Sequence, residues 1–449
     1  MKIIVLGVGK TGEKIIESLV KENHDITAID EKPKNIENIV NRYDVKGIVA
    51  NGVKKSSLED AGTSKADIFI ASTSRDEVNI ICCTLAKKLG VKYTVARIRD
   101  PEYYAEVGTI KEELSIDLVF NPEFETAKEI SRILRFPSAN NVENFAGGVA
   151  SLAEFNVSEG NPIIGKAIVE VVKEFGTQVI FAMVKRAEKT LIPLGDFIFA
   201  DGDVISIIGK DTEITNFCKK LHIYKMPAKD AFIIGGGKIA FYLAENLTER
   251  GVDVSIVEQD EERSIELSNS LPRVSVLLGD GSDSQLFDEE KVERADALVS
   301  LTGVDEENAM ISLYAKSLGV NKVVTKINRQ SLINMIKKMG LDSVVSPLEI
   351  TANRIIRFVR SRQVDTSGRV KKLFRLSDKI EASEFKVVEG FPTDIPIKSI
   401  NFKKNIIIGG VVREDEFILP TGETRIYEGD KIIVIAQARQ INELTDVLK

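Results

Sequence analysis

A chain of 449 residues is too long for one domain of roughly 100–200 residues, so three or four domains are expected. Its 43% apolar and 29% charged residues suit a soluble globular chain, and 61 basic against 68 acidic residues exclude the basic excess of a typical nucleic-acid binder. No stretch approaches the ~18 apolar residues of a membrane-crossing helix, and no charged n-region with a long apolar run opens the chain, so any membrane role would run through a partner.

In chain order, Ile3–Leu6 reads as a strand that runs straight into Gly7-Val8-Gly9-Lys10-Thr11-Gly12. A second strand, Ile26–Ile29, ends on Asp30, and further strands are predicted at Gly47–Ala50, Ile68–Ser72, Tyr93–Ile98 and Leu118–Phe120. Helix-patterned stretches such as Val78–Leu89 separate them. Continuously apolar strands alternating with helices predict a parallel sheet covered on both faces. Beyond it, Val179–Val184 and Val204–Ile208 are β-rich runs followed by a helical tail at Glu213–Leu221, a compact α+β pattern.

The pattern then starts again. Ala231–Ala240 repeats the opening strand and turn at an offset of 228, which also pairs Asp30 with Glu258 and Leu58 with Leu286; from Ala66/Ala295 onward the offset is 229. Asp76-Glu77-Val78-Asn79 then matches Asp305-Glu306-Glu307-Asn308, and in the small parts Asp201-Gly202-Asp203 matches Glu428-Gly429-Asp430. The expected fold class is α/β: two tandem Rossmann-like doubly wound parallel sheets, each followed by a small α+β domain. The large domains are placed at 1–122 and 229–347, with helices running on to 135 and 360, and the small domains at 142–226 and 369–449. Phe136–Gly148, His222–Asp230 and Arg362–Arg369 read as linkers, and halves of 1–226 and 227–449 are expected to fold alone.

Gly7–Gly12 is a complete G-x-G-x-x-G, following a strand, opening a helix, and followed by an acid at the end of the next strand. The three glycines serve a tight turn, close approach of phosphate to the backbone, and helix–strand packing, while the helix amides hold a pyrophosphate. Asp30 is placed to accept hydrogen bonds from ribose hydroxyls, which disfavours a 2′-phosphate. The second copy reads Gly235-Gly236-Gly237-Lys238-Ile239-Ala240, with Ala at the third glycine position and Glu258 for Asp30. Ligand-facing loops are also expected at the carboxyl ends of strands: Asn51-Gly52, Thr73-Ser74 and Arg97 in the first copy, and Gly279-Asp280, Thr302 and Lys326 in the second. Cys82, Cys83 and Cys218 read as buried small hydrophobes, and His24 and His222 as surface residues. No nucleophile elbow, His/Cys metal spacing or P-loop is present.

The glycine turn, acidic strand end, Asp76–Asn79 stretch, closing Asp201–Asp203 turn and tandem order together resemble the TrkA family, built from paired RCK (regulator of K⁺ conductance) domains. The resemblance covers nearly the whole chain. It implies a cytoplasmic regulatory subunit, peripheral on the inner face of the membrane, that assembles as a homo-oligomer (ring, dimer or tetramer) on a potassium-translocating membrane subunit. NAD(H) is the cofactor it implies, with ATP and ADP as further ligands. Pro122–Arg135 and Leu348–Val359 then look like the crossover helices that pair such domains. A non-enzymatic gating role is expected; an NAD-dependent oxidoreductase of unusual layout is the alternative.

Overall fold

The computed structural model describes residues 1–187, 189–341, 343–363, 370–377, 380–437, 441 and 443–449. The first large domain runs β1 (Lys2–Leu6), α1 (Lys10–Val20), β2 (Asp25–Asp30), α2 (Pro33–Arg42), β3 (Lys46–Val49), α3 (Lys55–Asp60), β4 (Ile68–Ala71), α4 (Asp76–Lys88), β5 (Tyr93–Arg97), α5 (Pro101–Ala105), α6 (Val107–Glu113), β6 (Leu118–Phe120) and α7 (Pro122–Arg135). The six parallel strands lie in the order β3-β2-β1-β4-β5-β6, so the order reverses between β1 and β4. Successive β1 side chains enter different cores. Ile3 and Val5 join Ile15, Ile16 and Leu19 of α1, while Ile4 and Leu6 join Leu58 of α3 and Cys82, Cys83 and Ala86 of α4. Burial of both faces explains why these strands are apolar throughout rather than alternating.

The first small domain holds β7 (Asn141–Phe145), β8 (Ala150–Asn156), α8 (Ile168–Phe175), β9 (Ile180–Arg186), β10 (Lys189–Leu191), β11 (Val204–Gly209) and α9 (Asp211–Lys220), with sheet order β10-β9-β11-β8-β7. Most of the predicted linker at Phe136–Gly148 is therefore structured. β7 pairs with β8 from Asn141 to Phe145, a strand hidden in the sequence because Asn141, Glu143 and Asn144 interrupt its apolar pattern.

The second large domain repeats the first: β12 (Asp230–Ile234), α10 (Lys238–Thr248), β13 (Asp253–Glu258), α11 (Glu261–Ser270), β14 (Val274–Leu278), α12 (Ser284–Glu289), β15 (Ala297–Ser300), α13 (Asp305–Ser317), β16 (Lys322–Lys326), α14 (Gln330–Lys338), β17 (Ser343–Val345) and α15 (Pro347–Gln363), in the order β14-β13-β12-β15-β16-β17. The second small sheet comprises β18 (Val370–Arg375), β19 (Ile380–Lys386), β20 (Ile407–Arg413), β21 (Glu416–Ile418) and β22 (Lys431–Gln437), ordered β18-β19-β22-β20-β21. Its helical elements among the described residues are 3₁₀ turns at Ile397–Ser399 and Leu444–Val447. Of the predicted linker Arg362–Arg369, residues 364–369 lie outside the described ones.

The register corrects the repeat. Asp30 pairs with Val49 across β2 and β3, and Glu258 with Leu278 across β13 and β14, so the extra residue falls before β3 rather than after Leu58. Asn51 thus corresponds to Asp280, Gly52 to Gly281, and Leu58 to the equally buried Phe287. Leu286, identical to Leu58, lies one residue before that counterpart, which hides the insertion in the sequence.

The chain divides into two compact units that cut across the repeats. One joins Met1–Thr126 to Ser346–Gln363, and the other holds Ala127–Val345 with the described residues beyond 363. In the first unit α15 lies against α1. Ile355 and Val359 share the core of Ile15, Ile16 and Leu19, Glu349 pairs with Lys14 at 2.6 Å, and the fully buried Arg360 grips Glu22 through Nε (2.9 Å) and Nη2 (3.0 Å). In the second unit Ser131 of α7 donates to Asn246 of α10 (2.6 Å), and Lys322 of β16 donates to the carbonyls of Pro137 and Ala139. Each large sheet is thus covered by the helix that follows the other one, which overturns the expectation that halves cut at 226 carry complete cores.

Also in the second unit, the two small sheets share one core of Phe145, Leu152, Met183, Ile208, Ile380, Val412, Phe417 and Ile433, and Glu384 accepts from the amide of Ala146 at 2.7 Å. The matched Asp203 and Asp430 are structural. Each buried carboxylate takes a two-pronged hydrogen bond, from Arg186 (2.6 and 2.7 Å) and from Arg413 (both 2.9 Å), and closes its own turn through a backbone amide.

Candidate functional site

Doubly wound sheets bind ligands where the strand order reverses, outside the carboxyl ends of the strands. At that end Gly7 adopts φ +88°, and a Cβ there would stand 2.7 Å from the Thr73 amide nitrogen. At Gly12 it would strike the Gly7 carbonyl oxygen at 1.9 Å. Gly9 caps α1 with nothing within 4 Å of its Cβ position, so the first-turn amides, which have no partner within the helix, border open space. Their partial positive charge suits an anion.

Asp30 closes the other side. Its Oδ2 accepts from the Val8 amide (2.7 Å), and its Oδ1 from the Lys32 amide (2.9 Å) and Asn35 Nδ2 (3.1 Å). The acid therefore braces the glycine turn and still has acceptor capacity for a hydroxyl, since a carboxylate offers about four lone-pair sites.

The second copy repeats this geometry with different atoms. Gly235 takes φ +96°, Gly237 caps α10 with open space beside it, and Glu258 accepts from the Gly236 amide (2.7 Å) and the Asp260 amide (2.9 Å). A Cβ on Gly236 would stand 2.8 Å from Glu258 Oε2 and 2.4 Å from Leu267 Cδ1. The middle glycine of the triplet therefore makes room for the longer acid, where the first copy combines Val8 with the shorter Asp30. Ala240 is fully buried in place of Gly12, and Leu301 stands in place of Ser72, whose hydroxyl donates to the Gly7 carbonyl at 2.9 Å. Lys238 and Ile239 open α10 as Lys10 and Thr11 open α1.

Beyond the switch point, Thr73 and Arg97 are joined by a residue the sequence reading used only as a landmark. Buried Asn79 accepts from the Thr73 amide (2.9 Å) and hydroxyl (2.7 Å) and donates to the Arg97 carbonyl (2.9 Å). Asn308 likewise accepts from the Thr302 amide (2.8 Å) and donates to the Lys326 carbonyl (3.1 Å), while the Thr302 hydroxyl turns to the Val304 carbonyl. Asp76 and Asp305 hold the next turns by accepting from the amides of Arg99 and Asp100, and of Asn328 and Arg329. The recurrence of Asp-x-x-Asn at both helix starts was the available signal. Ser74 is exposed at the lip of the first copy.

Asn51 and Asp280 each accept from the amide two residues on (2.9 and 2.8 Å), and the Ser282 amide and hydroxyl hold Asp280 below the usual carboxylate range. Gly52 and Gly281 let the loop pass against Leu6 and Ile234, and Gly279 lies one residue before the loop acid. The Arg97 guanidinium is mostly buried, which pushes its pKa down against the pull of Glu123, whose Oε1 lies 3.3 Å from Nη2.

Histidine and cysteine lie elsewhere. His222 is exposed, but His24 is buried, contrary to the surface reading. Its ring is covered beside the first strand, with Nδ1 3.4 Å from the Met1 amino group, and burial, then that ammonium, pushes its pKa down to about 4. Burial pushes the Cys82 and Cys218 thiols up to about 12 and Cys83 further, which makes them poor nucleophiles. No helix among the described residues is long and apolar enough to cross a membrane.

The TrkA-N domain matches residues 3–122 and 231–347, and the TrkA-C domain residues 152–222 and 384–449. The Trk system potassium uptake protein TrkA homolog of Archaeoglobus fulgidus is 30% identical over the full length of both chains. The Trk system potassium uptake protein TrkA of Haemophilus influenzae is 31% identical over 97% of this chain and 95% of its own. Among solved structures, the GsuK channel superposes with a TM-score of 0.65 over 97% of this chain and 77% of that one, at 18% identity. The GsuK RCK domain gives 0.63 over 97% and 92%, at 17% identity. These two support the fold; sequence identity and the twofold pair of matched domains place the chain in the TrkA family.

Proposed function

We propose that this chain is the nucleotide-sensing regulatory subunit of a Trk-type potassium uptake system, controlling potassium flux through a separate membrane subunit from its cytoplasmic face. The observation that carries the proposal is the doubled switch-point geometry. Each copy sets a glycine turn, an uncovered helix start and a braced acid at one sheet edge. In the first copy the amides of Gly9, Lys10, Thr11 and Gly12 hold phosphates, Asp30 takes the ribose, Asn51 and Gly52 border the adenosine, and Thr73, Ser74 and Arg97 form the far edge. In the second, Gly235–Ile239, Glu258, Asp280, Thr302 and Lys326 take these roles, with Gly281 rather than Gly279 at the loop glycine.

NAD(H) fits a turn with a ribose acid and no 2′-phosphate site, and ADP or ATP uses the same adenosine half. One GsuK structure is described as bound to NAD and another as bound to ADP, which supports a nucleotide ligand for this fold. The relatives named as potassium uptake proteins support the transport role. The reading includes assembly as a homo-oligomer on that membrane subunit.

Titration of the full chain with NAD⁺, NADH, ADP and ATP tests the reading. Binding is expected at both copies. Gly9→Asp is expected to abolish phosphate binding at the first copy alone, because the new carboxylate enters the space the phosphates need and fits sterically. Sustained NADH oxidation with candidate substrates would instead favour the oxidoreductase, and absence of binding by every nucleotide would sink both readings.

A further inference from the structure

The Arg97–Glu123 pair sits at the far edge of the first nucleotide cleft and is only half made. Glu123 lies in the first turn of α7, the segment by which the chain leaves the first sheet. Both side chains are mostly buried, at 13% and 18% exposure, yet they meet through a single contact at 3.3 Å. Arg97 Nε and Glu123 Oε2 are both buried without a hydrogen-bond partner. Arg–carboxylate pairs are usually bidentate, and buried polar atoms are almost always paired, so this pair has an acceptor missing on one side and a donor missing on the other. The guanidinium is also held at the cleft, because Asn79 ties the Arg97 backbone to Thr73, and Thr73 abuts Gly7.

We propose that Glu123 occupies Arg97 in place of a terminal phosphate, and that a nucleoside triphosphate takes Arg97 from it, releasing the first turn of α7. This rests on the first copy being a nucleotide site. A dinucleotide carries two bridging phosphates of one charge each, which the α1 amides accommodate. A triphosphate extends beyond that turn and ends in a doubly charged group with the fork geometry a guanidinium prefers. Once Arg97 is taken, Glu123 is a buried carboxylate without its cation and must turn toward water, carrying the start of α7 with it. The device is confined to the first copy. Thr126 and Thr351 each donate to the carbonyl of the proline that opens their helix, which matches Pro122-Glu123 with Pro347-Leu348, so the second copy has leucine in place of the acid.

Calorimetric titration of the full chain decides the matter, with Gly237→Asp in the background to silence the second copy. Glu123→Gln is expected to raise ATP affinity about tenfold, within the range typical of a ligand coupled to a conformational change, while changing NAD⁺ affinity less than twofold. Arg97→Gln is expected to lower ATP affinity severalfold more than NAD⁺ affinity, and the double variant to behave as Arg97→Gln, since the acid then has nothing to withhold. Hydrogen exchange should show ATP, and not NAD⁺, loosening the amides of 124–127, with the effect absent in Arg97→Gln. An unchanged ATP affinity in Glu123→Gln, or an equal change for both nucleotides, overturns the switch while leaving the nucleotide site intact. Failure of ATP and NAD⁺ to bind the background protein overturns the underlying site as well.

Discussion

The glycine triplet of the second copy is a case where residue identity is explained only by a neighbour far along the chain. Glu258 reaches the turn amide at 2.7 Å, as Asp30 does, but its extra methylene takes the volume that Val8 fills in the first copy. Gly236→Val is therefore expected to destabilise the protein by about 1–3 kcal/mol through overpacking. Glu258→Asp added to it should restore at least half of that loss, because it recreates the first copy's combination. Chemical denaturation of the two single variants and the double measures the coupling, and additive effects would contradict it.

His24 supplies a pH test at the same scale. Its folded-state pKa near 4 lies below the ordinary 6.5, so between these values the unfolded chain binds the proton and the folded one does not. Stability is complete above about pH 6.5 and falls as the pH drops toward 4, by about 1–3 kcal/mol from this residue. His24→Asn should flatten that slope without removing it, and an unaltered slope would show that the ring titrates freely. Sequence placed His24 on the surface because the turn around it is polar; its burial beneath the N-terminal residue and beside the Glu22–Arg360 pair is a long-range fact.

At the scale of elements, the carboxyl ends of the two crossover helices are fastened unequally, Arg360 within the first unit and Arg135 within the second. Arg360 is buried and two-pronged on Glu22, whereas its counterpart Arg135 is 41% exposed and stands 3.9 Å from Asp211. Arg360→Ala strands the buried Glu22 carboxylate and is expected to cost about 3–5 kcal/mol. Arg135→Ala should cost no more than about 1 kcal/mol. Equal costs in urea unfolding would contradict the assignment. A fragment of residues 1–226 lacks α15, leaves the α1 face of Ile15, Ile16 and Leu19 uncovered, and should aggregate unless a peptide spanning 346–363 is supplied.

These elements also mark how far the sequence could be read. The strands, the glycine turns, the acids and the duplication were legible because each is local or periodic. The β3 register, the β7 strand and the pairing of the two small sheets were not, because a one-residue insertion, a polar edge strand and a shared core leave no periodic trace. The helix exchange escaped for a related reason. The apolar stripes of α7 and α15 state that something is covered, and nothing in the stripe says which sheet.

For the whole molecule, the account requires that a nucleotide at the switch points alter a membrane-bound partner. A ligand shifts such an equilibrium only through different affinities for its two states, and coupling of about 1–3 kcal/mol is typical. The exchanged helices supply a physical route. α15 touches α1 along its length, from Lys14 in its second turn to Glu22 just past its end, so under the proposal a change at the glycine turn would reach a helix that follows the second sheet in the chain. Thermodynamic reciprocity then gives the most direct test. ATP and NADH affinities are measured for the full chain alone and with the Trk-type membrane subunit in lipid, alongside potassium flux with each nucleotide. The account predicts that at least one nucleotide's affinity changes about 5–150-fold on adding the membrane subunit, that nucleotide changes the affinity for the membrane subunit by the same factor, and that Gly9→Asp blunts the flux response. Nucleotide affinities indifferent to the membrane subunit, together with flux indifferent to nucleotide, would contradict it.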